Sequence, residues 1–244
     1  MEKMNKAVIW VAVALFVVIV LVISGFGIAR YMQVKNESKP EAIAAKMDEA
    51  KTSYQAATTG VKTGQQGYLK PDERDALYKE TVTALQGVVK YQPDNADAWL
   101  KLAVSYYNLK QLDQAIDAYQ KLLETKPANE AVIHNNMANV YRDKDPADYT
   151  SAETQYKKAI ELNPTLIVAY TNLSLMLRDR ENKPADAITV LEDGLAKNAN
   201  SIDIMDTLAN SYKMANQEDK ANALYNKILE LDPNNANAKK ALGK

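Results

Sequence analysis

Residues 205–233 are MDTLANSYKMANQEDKANALYNKILELDP. Apolar residues recur here with the i, i+3, i+4, i+7 spacing that marks one face of a helix: Met205, Leu208, Ala209 and Tyr212. A second set with helical spacing follows after a polar turn: Ala221, Tyr225 and Ile228. Pro233 then ends the second helix, because proline has no backbone N–H to donate. The stretch therefore predicts two helices joined by a short turn.

The same register occurs three more times upstream, so residues 96–235 form four copies of one unit of 34 to 36 residues. The equivalent positions are Trp99, Leu102, Ala103, Tyr106, Ala115, Tyr119, Leu122 and Pro127 in the first copy; His134, Met137, Ala138, Tyr141, Ala152, Tyr156, Ala159 and Pro164 in the second; and Tyr170, Leu173, Ser174, Leu177, Ala187, Leu191, Gly194 and Ala199 in the third. Extra residues fall only in turns, near Pro146 and Pro184. The small residues predict close approach of antiparallel helices.

This order of aromatic, Leu, small, Tyr, then Ala, aromatic, small and Pro resembles the tetratricopeptide repeat, a helix-turn-helix unit of 34 residues. The chain departs from the pattern at His134, where a large apolar residue is usual, and at Ala199, where Pro is usual. The resemblance implies an all-α solenoid, a right-handed superhelix of antiparallel helix pairs whose first helices line a concave groove. It implies no particular activity, because this repeat occurs in proteins with many different functions.

The composition argues against several classes of chemistry. The chain of 244 residues has no cysteine and one histidine. This composition excludes thiolate nucleophiles and leaves few possibilities for a metal site or a catalytic triad. We interpret His134 as a packed, hydrogen-bonded residue, and we predict no enzyme activity, no metal and no cofactor. The net charge is −1, and there is no long basic stripe. Nucleic acid is therefore not a predicted partner, because neutralisation of phosphates dominates such binding.

Residues 7–29 are uncharged and rich in Val, Ile, Leu and Ala. As a helix they would extend roughly 34 Å, which is enough for a hydrocarbon core of about 30 Å. We predict a single transmembrane helix that includes Ala7, Trp10, Phe16 and Ala29. A cleaved signal peptide is the alternative, although the apolar run is longer than the usual signal-peptide core.

Basic residues flank both ends of this run, so the positive-inside rule is nearly balanced. The short N-terminal tail and the absence of cysteine favour a cytoplasmic N-terminus and a repeat domain on the periplasmic or cell-surface side. The cytoplasmic orientation of the repeats is the alternative.

The sequence divides into five segments. Residues 1–31 are the predicted cytoplasmic tail and anchor, and residues 32–40 are a polar linker that ends in Pro40. Residues 41–95 resemble a degenerate first helix pair whose turn is enlarged by a Gly-rich loop at 60–67. The four repeats occupy 96–235, and residues 236–244 are a polar capping helix.

The predicted binding surface lies on the first helices, turned away from the packed face. Its residues are Tyr107, Asn135, Asn136, Asn139, Arg142, Asn172, Arg178, Asn210 and Lys213. Asparagine is a mediocre helix former, and the sequence gives it no packing role here. Side-chain amides can bind the backbone of an extended peptide, and Arg142, Arg178 and Lys213 form a row of cations for a partner carboxylate. The alternative is an ordinary solvated face, because Asp143 and Asp179 follow the arginines directly.

These observations favour a membrane-anchored scaffold that binds a protein or extended peptide in its groove and supports assembly of a membrane-associated complex, such as one of a bacterial envelope. The envelope context comes only from analogy with the family. The alternative is a structural protein that forms homo-oligomers at the membrane.

Overall fold

The computed structural model of the chain describes residues 26–61 and 68–244, and their regular structure is helical. The helices are α1 (Pro40–Thr59), α2 (Pro71–Tyr91), α3 (Ala96–Asn108), α4 (Leu112–Glu124), α5 (Glu130–Arg142), α6 (Tyr149–Leu162), α7 (Ile167–Asp179), α8 (Pro184–Lys197), α9 (Ile202–Met214), α10 (Glu218–Leu231) and α11 (Ala236–Ala241). The prediction of an all-α chain is confirmed for these residues. They fall into two compact units, which divide between Ala98 and Trp99.

The predicted membrane anchor lies mostly outside the described residues, which include neither Ala7, Trp10 nor Phe16. Ala29 is described, and it is an exposed residue of a helical segment at 26–37. None of the helices within 26–61 and 68–244 is both long enough and apolar enough to span a membrane.

Residues 32–37, which we predicted as part of a linker, are helical instead. Gln33 accepts a hydrogen bond from Arg30 at 3.3 Å and donates one to Glu37 at 2.8 Å. Side chains three and four residues apart are neighbours on a helix surface, so these polar residues stabilise the helix.

The first unit contains the antiparallel pair α1 and α2. Arg74, in the first turns of α2, donates to the backbone oxygen of Ala57 near the end of α1, at 3.1 Å. Buried side chains from both helices form the core of the pair: Ile43, Ala50, Ala56, Ala57, Tyr78, Ala84, Leu85 and Val88. Gly60 ends α1 with a φ of 68°, a left-handed conformation that glycine adopts without a steric penalty.

The second unit repeats one arrangement, in which the first helices of the second, third and fourth copies pack on the second helix of their own copy and on a neighbouring copy. Its core is built around alanines of both helices, among them Ala138, Ala152, Ala187, Ala209 and Ala221, which are fully buried. Gly194 shows why these positions are small, because a Cβ atom there would lie 2.8 Å from the ring of Tyr170. The spacing between helices is therefore determined by small side chains, as the sequence predicted.

Candidate functional site

Two of the predicted groove asparagines bind tyrosines of their own repeat. The Tyr156 hydroxyl on α6 donates to Asn139 Oδ1 on α5 at 2.5 Å, and the Tyr225 hydroxyl on α10 donates to Asn210 Oδ1 on α9 at 2.9 Å. In the third copy both positions are leucine, Leu175 and Leu191. Our interpretation that asparagine has no packing role was wrong at these positions. Each of the two asparagines satisfies a hydroxyl on a buried tyrosine.

Three further amides form a chain across α5 and α7. Asn172 Nδ2 donates to Asn135 Oδ1 at 3.1 Å, and Asn135 Nδ2 donates to Asn136 Oδ1 at 3.3 Å. Asn135 is only 3% exposed, so our prediction that it lines a binding surface was wrong. The residue is covered because α7 packs against α5 at this level. Asn136 and Asn172 are half-buried, and in the described part of the chain Asn136 Nδ2 and Asn172 Oδ1 have no protein partner.

Arg142 belongs to a network that joins α3, α5 and α6. Its guanidinium donates to Asp143 at 2.8 and 3.2 Å and to the Tyr156 hydroxyl at 3.2 Å. Asp143 also accepts from the Tyr107 hydroxyl at 2.5 Å. Burial raises the pKa of Asp143, but the hydrogen bonds from Arg142 and Tyr107 outweigh it and lower the pKa below its usual value. Burial and the bond to Asp143 raise the pKa of Tyr107 to about 12.

Arg178 repeats this pairing one copy later. It donates to Asp179 at 2.6 and 2.9 Å and lies 3.5 Å from the Ser211 hydroxyl on α9. Two members of the predicted row of cations are thus neutralised by the aspartate that follows each of them. Lys213 differs, because it is exposed and has no carboxylate partner in residues 26–61 and 68–244.

Two adjoining clefts lie over the first helices at the C-terminal end, α7, α9 and α11. The first has a volume of about 510 Å³ and is lined by Ile167, Val168, Thr171, Ile202, Asp203, Asp206, Thr207, Asn235 and Asn237. The second has a volume of about 430 Å³ and is lined by Asp206, Asn210, Lys213, Tyr225, Asn237, Lys240 and Ala241. Asp206 and Asn237 belong to both, so the clefts form one continuous depression.

The depression carries charges of both signs. Asp203 lines the first cleft, Lys213 and Lys240 line the second, and Asp206 lines both. Within the described ranges none of the four forms an ion pair, although ion pairs are common elsewhere on the surface. Burial, and then the negative charge of Asp203, raise the pKa of Asp206. An acidic subsite and a basic subsite are therefore both available to a ligand.

Our sequence prediction missed Asp203, Asn237 and Lys240 as members of this site. Residues 236–244, which we predicted as a polar capping helix, contain α11. This helix stands where the first helix of a further repeat would stand and contributes Asn237 and Lys240 to the surface. The signal was present, because Asn235 to Leu242 continue the repeat register.

His134 has the structural role that we predicted. Its Nδ1 atom lies 2.7 Å from Oε1 of Gln155 on α6, and the residue is half-buried. Across the residues that the structure describes, no group of three or more histidine, aspartate and glutamate side chains is arranged to hold a metal ion.

Family comparisons identify the repeat. A family profile described as "Tetratricopeptide repeat" matches residues 77–139 and 180–244, and a second profile with the same description matches residues 131–166. Together they cover more than half of the chain. The chain belongs to the tetratricopeptide repeat family. The predicted fold, an all-α solenoid of tetratricopeptide repeats, is confirmed by these profiles and by the solved structures that the chain resembles.

Proteins similar to this chain contain the same repeat but differ greatly in total length. Tetratricopeptide repeat protein 37 of Xenopus laevis is 30% identical over 94 residues, which are 36% of this chain and 6% of that protein. The chain thus spans a small part of that relative. The solved structure of MamA is 21% identical with a TM-score of 0.57, over 84% of this chain and 96% of MamA. YrrB, described as a TPR protein with an unusual peptide-binding site, is 15% identical with a TM-score of 0.51, over 78% of this chain and all of YrrB.

Membership of the family defines the class of function. Tetratricopeptide repeats are protein-interaction scaffolds, typically without catalytic activity, and their stacked helices present extended binding surfaces. The chain is therefore a scaffold of the kind that mediates contacts between proteins.

Proposed function

We propose that the chain binds an extended segment of a partner protein along α7, α9 and α11. The observation that carries this proposal is the pair of adjoining clefts with unpaired charges of opposite sign. Asp206 and Lys213 are seven residues apart on α9, which corresponds to about 10 Å. About three residues of an extended chain cover that distance. The preferred segment places a cationic group near Asp206 and a carboxylate near Lys213 and Lys240.

Uncharged polar groups around the clefts suit the backbone of such a segment. Thr171, Thr207 and Asn237 line the first cleft. Farther along the first helices, Asn136 Nδ2 and Asn172 Oδ1 supply a donor and an acceptor. Amides and hydroxyls bind backbone groups independently of the partner's side chains, so the charged subsites would provide the selectivity.

The proposal includes attachment to a membrane by residues 7–29, which supports the assembly of a complex there. Its support is the uncharged apolar composition of that segment together with the basic residues on both sides. We also propose that the repeats lie on the periplasmic or cell-surface side. Protease treatment of intact cells and of spheroplasts tests the orientation, because repeats that are degraded only after the spheroplast membrane is ruptured would contradict it.

Photo-crosslinking tests the binding site. A photoreactive amino acid replaces Asn237, which is exposed and lines both clefts, in the full chain expressed in its own cells. The matched control carries it at Thr154, an exposed position on the second helix α6. We expect a distinct protein to be captured from position 237 and lost when Lys213→Glu and Lys240→Glu are added. Capture of the same chain instead would indicate homo-oligomers, and equal capture from both positions would contradict the site.

A further inference from the structure

A second depression lies on the opposite side of α9. It has a volume of about 470 Å³ and is lined by Glu192, Leu195, Ala196, Ala199, Leu208, Tyr212, Lys220, Ala223, Leu224 and Lys227. A helix turns roughly 100° per residue, so Leu208 and Tyr212 project away from the side of α9 that bears Asp206 and Asn210. We call this depression the α8–α10 trough. It is separate from the proposed peptide site and goes beyond the proposed function.

The α8–α10 trough is apolar and open. Leu195, Leu208 and Leu224 form its floor, and Ala196, Ala199 and Ala223 are exposed along it. Ala199 stands where the repeat usually has proline, and alanine there leaves more of the trough unfilled. Side chains this small let another helix approach closely.

The rim of the trough is cationic on the α10 side. Lys220 and Lys227 are seven residues apart, about 10 Å along one face of α10, and neither forms an ion pair in the described part of the chain. Lys220 Nζ lies 5.0 Å from the centre of the Tyr212 ring. On the α8 side, the carboxylate of Glu192 accepts a hydrogen bond from the Tyr212 hydroxyl. The carboxylate on one wall thus accepts a hydrogen bond from the protein, and the other wall presents two ammonium groups that form no ion pair in the described residues.

We propose that the α8–α10 trough docks an amphipathic helix of a partner protein. Its apolar side chains occupy the floor, and two carboxylates seven residues apart on its polar edge pair with Lys220 and Lys227. A single-chain anionic amphiphile fits less well, because it carries one carboxylate for two lysines and its tail would stay exposed in an open trough. With both surfaces occupied, the chain bridges two partners.

A displayed peptide library tests the trough. The probe is a library of helical peptides with a constant leucine face and two randomised positions, seven residues apart, at its edge. It is selected on the full chain and counter-selected on the K220E/K227E variant. We expect aspartate and glutamate to be enriched at both positions. The best peptide should lose about tenfold in affinity for K220E/K227E, and its lysine counterpart should prefer that variant.

Two controls separate the trough from other surfaces. K213E/K240E changes the proposed peptide site and should leave binding of the acidic peptide unchanged. Ala223→Trp fills the trough at an exposed position and should abolish binding while the helical content is retained. No enrichment of acidic residues, or equal binding to wild type and K220E/K227E, overturns the proposal. So does displacement of the peptide by dodecanoate at comparable concentration, or a dimer of this chain that Ala223→Trp dissociates.

Discussion

The Tyr225 hydroxyl donates to Asn210 Oδ1 at 2.9 Å, and the pair joins the second helix of the last repeat to its first helix. Tyr156 and Asn139 form the same pair two copies earlier. Asn210 therefore has two functions. Its oxygen stabilises the repeat, and its position places it beside the surface that we propose for binding.

Loss of Asn210 should destabilise the repeat. Asn210→Ala leaves the hydroxyl of the buried Tyr225 without its acceptor, which should lower the free energy of unfolding by about 1–2 kcal/mol. Tyr225→Phe should recover most of that loss in the double variant, because it removes the unsatisfied donor. Urea denaturation of the four proteins of this double-mutant cycle gives the coupling energy. Additive effects of the two substitutions would show that the hydrogen bond contributes no stability.

Substitution by alanine should affect stability differently at Gly194 and at Gly87. Gly194→Ala places a Cβ atom 2.8 Å from the ring of Tyr170, which is buried and cannot move freely. We expect a loss of about 1–3 kcal/mol, larger than the gain of about 1 kcal/mol in helix propensity. Gly87→Ala is the matched control, because its Cβ would meet the end of the flexible Lys46 side chain, with Nζ at 2.7 Å and Cδ at 3.0 Å.

Amide hydrogen exchange measures how each of the two glycine substitutions changes the stability of the helices around it. Exchange in α7 and α8 should accelerate in Gly194→Ala, whereas exchange in α1 and α2 should slow or stay unchanged in Gly87→Ala. Equal acceleration in both variants would mean that close packing is not the reason for glycine at position 194.

The repeats could be predicted from the sequence because helical periodicity is local. Leu208 and Tyr212 are one turn apart whatever the rest of the fold does, and the position of Gly194 in the register already required a small residue. The surface was harder to predict, since Asn135 is buried by α7, which is distant in the sequence. Arg178 and Lys213 occupy equivalent positions, and only the tertiary structure shows that one is paired and the other is not.

Alkaline pH should destabilise the second unit. Burial is the main cause that raises the pKa of Tyr107, Tyr156 and Tyr212 to about 12. An unfolded chain releases these protons near pH 10, so between about pH 10 and 12 the folded state holds more protons than the unfolded state. The stabilisation that the protonated tyrosines contribute is complete below pH 10. It is lost as the pH rises through the pKa values of these tyrosines in the folded state.

Urea midpoints measured from pH 9 to 12 test this linkage. They should fall above about pH 10, and the fall should be shallower in Tyr156→Phe because one linked proton has been removed. Absorbance of tyrosinate in the folded protein should show tyrosines that ionise only near pH 12. An unchanged slope in Tyr156→Phe would contradict the role of this residue.

Substitution of Arg178 should reduce mainly stability, whereas substitution of Lys213 should reduce mainly binding. The side chain of Arg178 is 14% exposed and is held by Asp179 and Ser211, so Arg178→Ala should lower the free energy of unfolding by about 1–2 kcal/mol. Lys213 is exposed and unpaired within the described residues, so Lys213→Ala should change stability by less than about 0.5 kcal/mol. Partner capture from position 237 should nevertheless decrease in Lys213→Ala.

The two measurements are made on the same preparations. Urea denaturation reports stability, and the yield of the adduct at position 237, normalised to the amount of folded protein, reports binding. Arg178→Ala should leave that normalised yield close to wild type, because its charge is already neutralised by Asp179. A larger loss of adduct in Arg178→Ala than in Lys213→Ala would show that the partner displaces Asp179, and the binding surface would then extend along the whole row of cations.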